Sequence, residues 1–132
     1  MIPKGARTGS IVAVRVAGVW HEGIVSDRLD ADGLPMVVHK SKRARVATEE
    51  PWRRFAPRGA RVVLVGYPSI LPPALVLERA RARIGEPWSA VDNCQRYTRR
   101  AHGVPARSPD LERAAGLVAG FLGFVGRMVR PL

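Results

Sequence analysis

Three segments in the first 41 residues alternate larger apolar side chains with small or polar ones, and this alternation restricts the fold more than any other feature of the chain. A period of two places successive side chains on opposite faces, which is typical of β-strands with one buried face. The segments cover residues 11–17, 19–26 and 35–41. Gly18 permits a tight turn after the first segment, and the Asp- and Gly-containing residues 27–33 favour a chain reversal after the second. The sequence therefore predicts strands that pair as neighbours.

The rest of the chain adds one further strand and then changes to helical spacing. Residues 61–66 form a nearly continuous apolar run, which predicts a strand buried on both faces at the centre of the sheet. Residues 49–52 are typical of a loop or a helical turn. A helix is predicted over residues 74–84, and its apolar stripe consists of Leu77, Ala80 and Ile84. A second helix is predicted from residue 92 or 93 to residue 102, before Gly103 and Pro105.

These elements predict an α+β protein, in which a small antiparallel sheet packs against helices. A chain of 132 residues suffices for one compact domain. Its single cysteine, Cys94, can form no intramolecular disulfide and has no neighbours with the spacing of a zinc site, so we expect neither a metal nor a cofactor. The N-terminus lacks the apolar stretch of a signal peptide, which predicts a cytoplasmic location.

The net charge of +11 predicts attraction to anionic surfaces, whether nucleic acid, acidic lipid or a cell-wall polymer. A GC-rich genome would produce the same excess of arginine without any functional meaning. The densest group of cations is Lys40, Lys42, Arg43, Arg45, Arg53, Arg54 and Arg58. A nucleic-acid-binding barrel built from residues 11–65 is the least supported interpretation, because the chain has few aromatic residues and no recognisable nucleic-acid-binding motif.

Cys94 stands at the predicted start of a helix, where the helix dipole and free backbone N–H groups lower the pKa of a thiol. A thiol nucleophile also needs a base and a polar group that orients this base. His21 and His39, on two of the predicted strands, could supply both. Each residue also has a structural interpretation: Cys94 as a small buried apolar side chain, His21 as a core or edge residue, and His39 as part of a basic surface. His102, at the end of the same helix, suits a dipole interaction better than catalysis.

The order of these residues adds information that their spacing does not. The chain has Trp20-His21-Glu22-Gly23-Ile24-Val25, then Val37-Val38-His39, then an arginine-rich helix that leads through Gly85 to Asn93-Cys94. Over about residues 8–103 this order resembles the lecithin:retinol acyltransferase-like branch of the permuted, NlpC-type papain-like thiol enzymes. The resemblance implies a permuted papain-like fold, with Cys94 as the nucleophile, His21 as the base and His39 as the orienting residue.

The resemblance implies a cysteine-dependent hydrolase or acyltransferase. Its substrate would be an acyl-bearing lipid, or a peptide or other amide, ester or thioester. After the cysteine this chain has Gln95-Arg96-Tyr97 where the family pattern is Glu-His-Phe, so the resemblance does not assign the substrate. The alternative is an enzyme-derived binding domain, without catalysis, for an anionic partner or surface.

The predicted division of the chain is a catalytic domain over residues 1–107 and an apolar, glycine-rich helix over residues 108–132. Residues 114–126 carry no charge, but a helix of this length would extend only about 20 Å, against a hydrocarbon core of about 30 Å. The glycines also weaken an isolated helix. Three supports are open: docking on the protein's own domain, self-association, or shallow contact with an anionic membrane.

Overall fold

The computed structural model describes residues 2–89 and 93–105. Its secondary-structure elements, in chain order, are β1 (Ile11–Val16), β2 (Val19–Leu29), β3 (Pro35–Ser41), β4 (Val46–Glu50), α1 (Trp52–Phe55), β5 (Val62–Gly66), α2 (Pro73–Arg81) and α3 (Cys94–Ala101). The protein is therefore α+β, as predicted.

All five strands belong to one antiparallel sheet in the order β4-β3-β2-β1-β5. The first three strands were predicted from their alternation and are confirmed as neighbours. β1 pairs with β2 from Ile11 opposite Ile24 to Val16 opposite Val19. The β2–β3 ladder is shorter, and runs from Leu29 opposite Pro35 to Ile24 opposite Val38.

The alternation gives the sheet two apolar faces. On one face α2 and α3 cover a cluster that contains Ile11, Ile24 and Val38, together with Val76, Leu77, Ala80, Tyr97 and Ala101 of the helices. On the other face α1 covers a cluster made of Val12, Val14, Val25, Val37, Trp52, Phe55 and Ala56. Each strand residue thus belongs to the α2–α3 face or to the α1 face of the sheet.

The prediction that residues 61–66 form a central strand is wrong. β5 lies at the edge of the sheet, where it pairs only with β1 among the described strands. Leu64 and Val65 keep 38% and 42% of their surfaces exposed. An apolar run indicates that a strand can be buried, but it does not predict whether the strand lies at the centre or at the edge of the sheet.

Two further predictions also need correction. Glu49 and Glu50 are the last residues of β4 and not a loop or helical turn; only from Trp52 does the chain turn into the short α1. Helix α2 ends at Arg81, so Ile84 lies beyond it and is 46% exposed, whereas Leu77 and Ala80 are buried as expected. The helical stripe instead includes Val76, which is fully buried.

Helix α3 begins at Cys94, one residue after the later of the two predicted starts, and ends at Ala101, one residue before the predicted end. The Asn93 side chain accepts hydrogen bonds from the backbone N–H groups of Gln95 and Arg96, which is a standard N-terminal cap. His102 follows the last turn and is buried: its Nδ1 lies 2.6 Å from Ser69 Oγ, and its Nε2 donates to the Gly9 carbonyl at 2.7 Å. Its observed role is therefore to tie the end of α3 to two loops.

The predicted C-terminal helix, and with it the boundary between residues 107 and 108, lies outside the described residues. Within residues 2–89 and 93–105, no helix has both the length and the apolar character that crossing a bilayer requires.

Candidate active site

The two predicted histidines meet on the α1 face of the sheet. His21 Nε2 lies 2.7 Å from His39 Nδ1, and the two rings are perpendicular, with centroids 4.9 Å apart. Phe55 packs against both rings, at centroid distances of 5.6 Å from His21 and 5.4 Å from His39. His39 is 3% exposed, while His21 is only partly buried. The pair is therefore held by one hydrogen bond and by a shared apolar neighbour.

A carboxylate that sequence reasoning missed extends this pair. His39 Nε2 lies 3.2 Å from Glu50 Oε2, and the same oxygen accepts a hydrogen bond of 3.0 Å from Arg43. The antiparallel register explains this contact, because Val37 lies opposite Glu50, and His39 opposite Thr48, on one face. The signal in the sequence was the strand over residues 46–50, of which residues 49 and 50 were predicted as a loop or a helical turn and residues 46–48 received no prediction.

These contacts determine the ionisation of the site. The hydrogen bond from His39 lowers the pKa of Glu50, and the charges of Arg43 and Arg54 act in the same direction. Burial lowers the pKa of His21 to about 3, and the positive charge that His39 can carry adds to this effect. His21 is therefore neutral near pH 7 and keeps a lone pair on one ring nitrogen, and burial makes this nitrogen a weaker base than that of a free imidazole.

The imidazole pair lies just beyond the end of the β2–β3 ladder. Paired positions stop at Ile24 and Val38, so among the described residues no ladder pair joins residues 19–23 of β2 to residues 39–41 of β3. Across this gap the strands are linked by the hydrogen bond between His21 and His39. The imidazole pair therefore lies beside the stretch in which β2 and β3 form no ladder pairs.

The third predicted residue, Cys94, is the first residue of α3 and is 7% exposed. Helix α3 packs on the α2–α3 face of the sheet, where Thr98 Oγ1 donates to Glu22 Oε1 at 2.9 Å and Arg99 pairs with the same carboxylate. Within the described part of the chain, the hydrogen bonds of the two imidazoles reach each other and Glu50, and none reaches Cys94. The structure therefore brings His21 and His39 together, and no hydrogen bond within residues 2–89 and 93–105 joins either imidazole to Cys94.

Gly23 allows the close packing around the histidines. A Cβ atom at this position would lie 2.3 Å from Val37 Cγ1, 2.9 Å from Phe55 Cε1 and 3.2 Å from His39 Cβ. The first two distances are too short for real atoms, so any side chain at Gly23 must displace Val37 and the Phe55 ring.

We expect Gly23→Ala to lower the free energy of unfolding by about 2 kcal/mol, because overpacking a core shifts its neighbours. Chemical denaturation measures this change, and the imidazole NMR signals of His21 and His39 should move. Gly33→Ala is the control, since its added Cβ meets nothing within 4 Å and bears only the strain of a φ of +77°. Equal imidazole shifts in both variants would contradict the packing argument.

The fold buries one residue of the basic cluster that the sequence indicated and leaves others exposed. Lys40 is fully buried, and its Nζ lies 2.9 Å from Glu86 Oε1, so this residue belongs to the interior. The cations at the tip of the β3–β4 hairpin, Lys42, Arg43 and Arg45, are exposed. No group of three or more His, Cys, Asp or Glu side chains suited to a metal ion occurs in residues 2–89 and 93–105.

Comparison with known proteins adds no further assignment, since neither a scan against protein-family models nor a search of curated proteins finds a match to this chain.

Proposed function

We propose that the protein is a cysteine-dependent hydrolase or acyltransferase, with Cys94 as the nucleophile, His21 as the base and His39 as the residue that orients His21. The observation that carries the proposal is the hydrogen-bonded chain Glu50–His39–His21. A carboxylate behind two imidazoles serves to orient a base and to stabilise the cation that forms when the base takes a proton. The order of these residues along the chain, and the helix start at Cys94, support a permuted papain-like arrangement.

In the proposed reaction the thiol proton of Cys94 moves to Nδ1 of His21, since Nε2 of that ring is bonded to His39. The sulfur forms a bond to the acyl carbon, and the bond from that carbon to the leaving oxygen, nitrogen or sulfur breaks. His21 returns the proton to the leaving group. Water, or another acyl acceptor, then attacks the thioester and regenerates the thiol.

This mechanism requires the thiol of Cys94 to come within hydrogen-bond reach of His21, whereas α3 and the imidazoles lie on opposite faces of the sheet. α3 packs against both strands, and its first turn precedes Thr98, which is bonded to the neighbour of His21, Glu22. A rearrangement of the first turn of α3, which carries Cys94, is therefore the movement that the proposal needs, while the Glu22 contact holds the following turn on β2.

The test is the rate at which iodoacetamide alkylates Cys94 as a function of pH. A free thiol has a pKa of about 8.5, and its rate falls about tenfold for each pH unit below that value. With His21 as base, the rate of the wild type should fall less steeply than this below pH 8, because the neutral imidazole takes the thiol proton as the sulfur attacks. At pH 5 we expect His21→Ala to react at least about 100-fold more slowly than the wild type.

Two controls complete this experiment. Cys94→Ala shows that the label is on the thiol, and Glu78→Ala changes only an exposed side chain on α2. Incubation with p-nitrophenyl acetate should give a protein that is heavier by one acetyl group on Cys94. A steep, free-thiol pH dependence in the wild type, unchanged in His21→Ala, would overturn the proposal.

The second candidate is a non-catalytic binding domain for an anionic partner. It is favoured by the placement of α3 and the imidazoles on opposite faces of the sheet, and by the exposed cations of the β3–β4 hairpin. Cys94→Ala would then leave binding to anionic vesicles unchanged, whereas Lys42→Gln with Arg45→Gln would weaken it in a salt-dependent manner.

A further inference from the structure

Glu50 has a place in the site that the resemblance does not supply. It comes from β4, not from the two strands that carry the histidines, and its side chain keeps 17% of its surface exposed. Its Oε2 atom is shared between His39 Nε2 at 3.2 Å and Arg43 at 3.0 Å. Glu50 therefore joins the imidazole pair to an exposed cation.

An ionised carboxylate has no proton to donate, so the proton of the Glu50–His39 hydrogen bond must be on His39 Nε2. Neutral His39 then carries a lone pair on Nδ1. That lone pair can only accept, so the proton of the His21–His39 hydrogen bond is on His21 Nε2. Neutral His21 is left with its lone pair on Nδ1, the nitrogen on which the proposed reaction depends.

We infer that Glu50 is a positioning residue that fixes the tautomers of both histidines and thereby makes Nδ1 of His21 the basic nitrogen. This inference rests on the proposed function. Without the carboxylate, His39 can equally carry its proton on Nδ1 and donate it to His21 Nε2. In that tautomer, Nδ1 of His21 bears the proton and the ring has no lone pair to offer to a thiol.

Arg43 supports this role. Its guanidinium bonds the same carboxylate oxygen, and its side chain is 56% exposed at the hairpin tip. Arg54, on α1, adds a second positive charge near Glu50. Both cations favour the ionised form of Glu50, which is the form that accepts the His39 proton.

The test combines ¹⁵N NMR of the imidazoles, which reports the tautomer of each ring, with the alkylation rate of Cys94 at pH 6. In the wild type we expect both rings to be protonated on Nε2. Glu50→Ala should give mixed tautomers and a 10- to 100-fold slower alkylation. Glu50→Gln keeps a carbonyl oxygen that can accept from His39, so it should retain the tautomers and lose less rate.

Glu49→Ala is the matched control. Glu49 is the preceding residue on the same strand, but its carboxylate bonds Ser26 and Arg81 on the α2–α3 face. Its loss should reduce stability and leave the imidazole tautomers unchanged. If Glu50 contributed only to stability, Glu50→Ala would likewise lower the free energy of unfolding and leave the imidazole tautomers unchanged.

Unchanged tautomers in Glu50→Ala, with alkylation within about twofold of the wild-type rate, would overturn the inference. If Glu50→Ala does not fold, Glu50→Leu takes its place, because leucine fills similar space and has no oxygen that can accept from His39: mixed tautomers support the inference, and unchanged tautomers overturn it. Failure of the proposed function gives a different result: wild-type Cys94 then reacts as a free thiol, while the tautomers still respond to Glu50.

Discussion

Replacing Trp52 by alanine is expected to lower the free energy of unfolding by about 4 kcal/mol, the largest effect of any single substitution considered for this protein. Trp52 is fully buried and packs against Phe55, with ring centroids 5.9 Å apart. Because Phe55 contacts both imidazoles, the cavity left by the indole would also loosen the site. Urea denaturation measures the loss, which should appear as a lower midpoint at an unchanged slope.

Trp52→Phe separates the packing of the indole from its polarity. The indole Nε1–H is buried and has no hydrogen-bond partner within the described residues. Phenylalanine keeps much of the ring and removes this unsatisfied donor, whose burial costs about 1–3 kcal/mol. We therefore expect Trp52→Phe to cost about 1 kcal/mol. A loss as large as that of Trp52→Ala would show that the N–H is in fact satisfied.

Glu22→Ala is expected to cost about 3 kcal/mol. The Glu22 carboxylate is buried, at 4% exposure of the residue, and joins β2 to Thr98 and Arg99 of α3. Removing one member of a buried ion pair leaves the other charge desolvated and unneutralised, and this penalty exceeds the value of an exposed pair. Chemical denaturation at neutral pH checks the change.

The same substitution at Glu78 is the control, because this glutamate is exposed on α2 and should change the stability by less than about 0.5 kcal/mol. Glu22→Ala should in addition alter the alkylation rate of Cys94, since the turn of α3 that follows Cys94 loses its anchor on β2. Equal stability losses at Glu22 and Glu78 would mean that the contact between β2 and α3 contributes no more than a surface charge.

The features that the sequence predicted correctly are those that depend on residues close together in the chain. Alternation placed the first three strands, and it also placed His21 on the same face as Gly23 and Val25. Asn93 marked the start of α3 because an N-terminal cap is a property of one residue and the two or three that follow it.

The features that it missed depend on pairing between distant segments. The apolar run of β5 suits a central strand as well as an edge strand, so its place in the sheet was not readable. The contact of Glu50 with His39 depends on the β3–β4 register, and β4 was not predicted. Strand alternation likewise defines the two faces of the sheet, but it does not predict which face α3 covers. The face that α3 covers determines whether Cys94 lies on the same side of the sheet as the two histidines.

The end of the β2–β3 ladder at Ile24 and Val38 gives the imidazole pair a structural consequence as well. The hydrogen bond between His21 and His39 joins the two strands beyond their last paired position. Replacing either histidine therefore removes a contact between β2 and β3 together with the proposed chemistry, so the stability of each histidine variant has to be measured beside its activity.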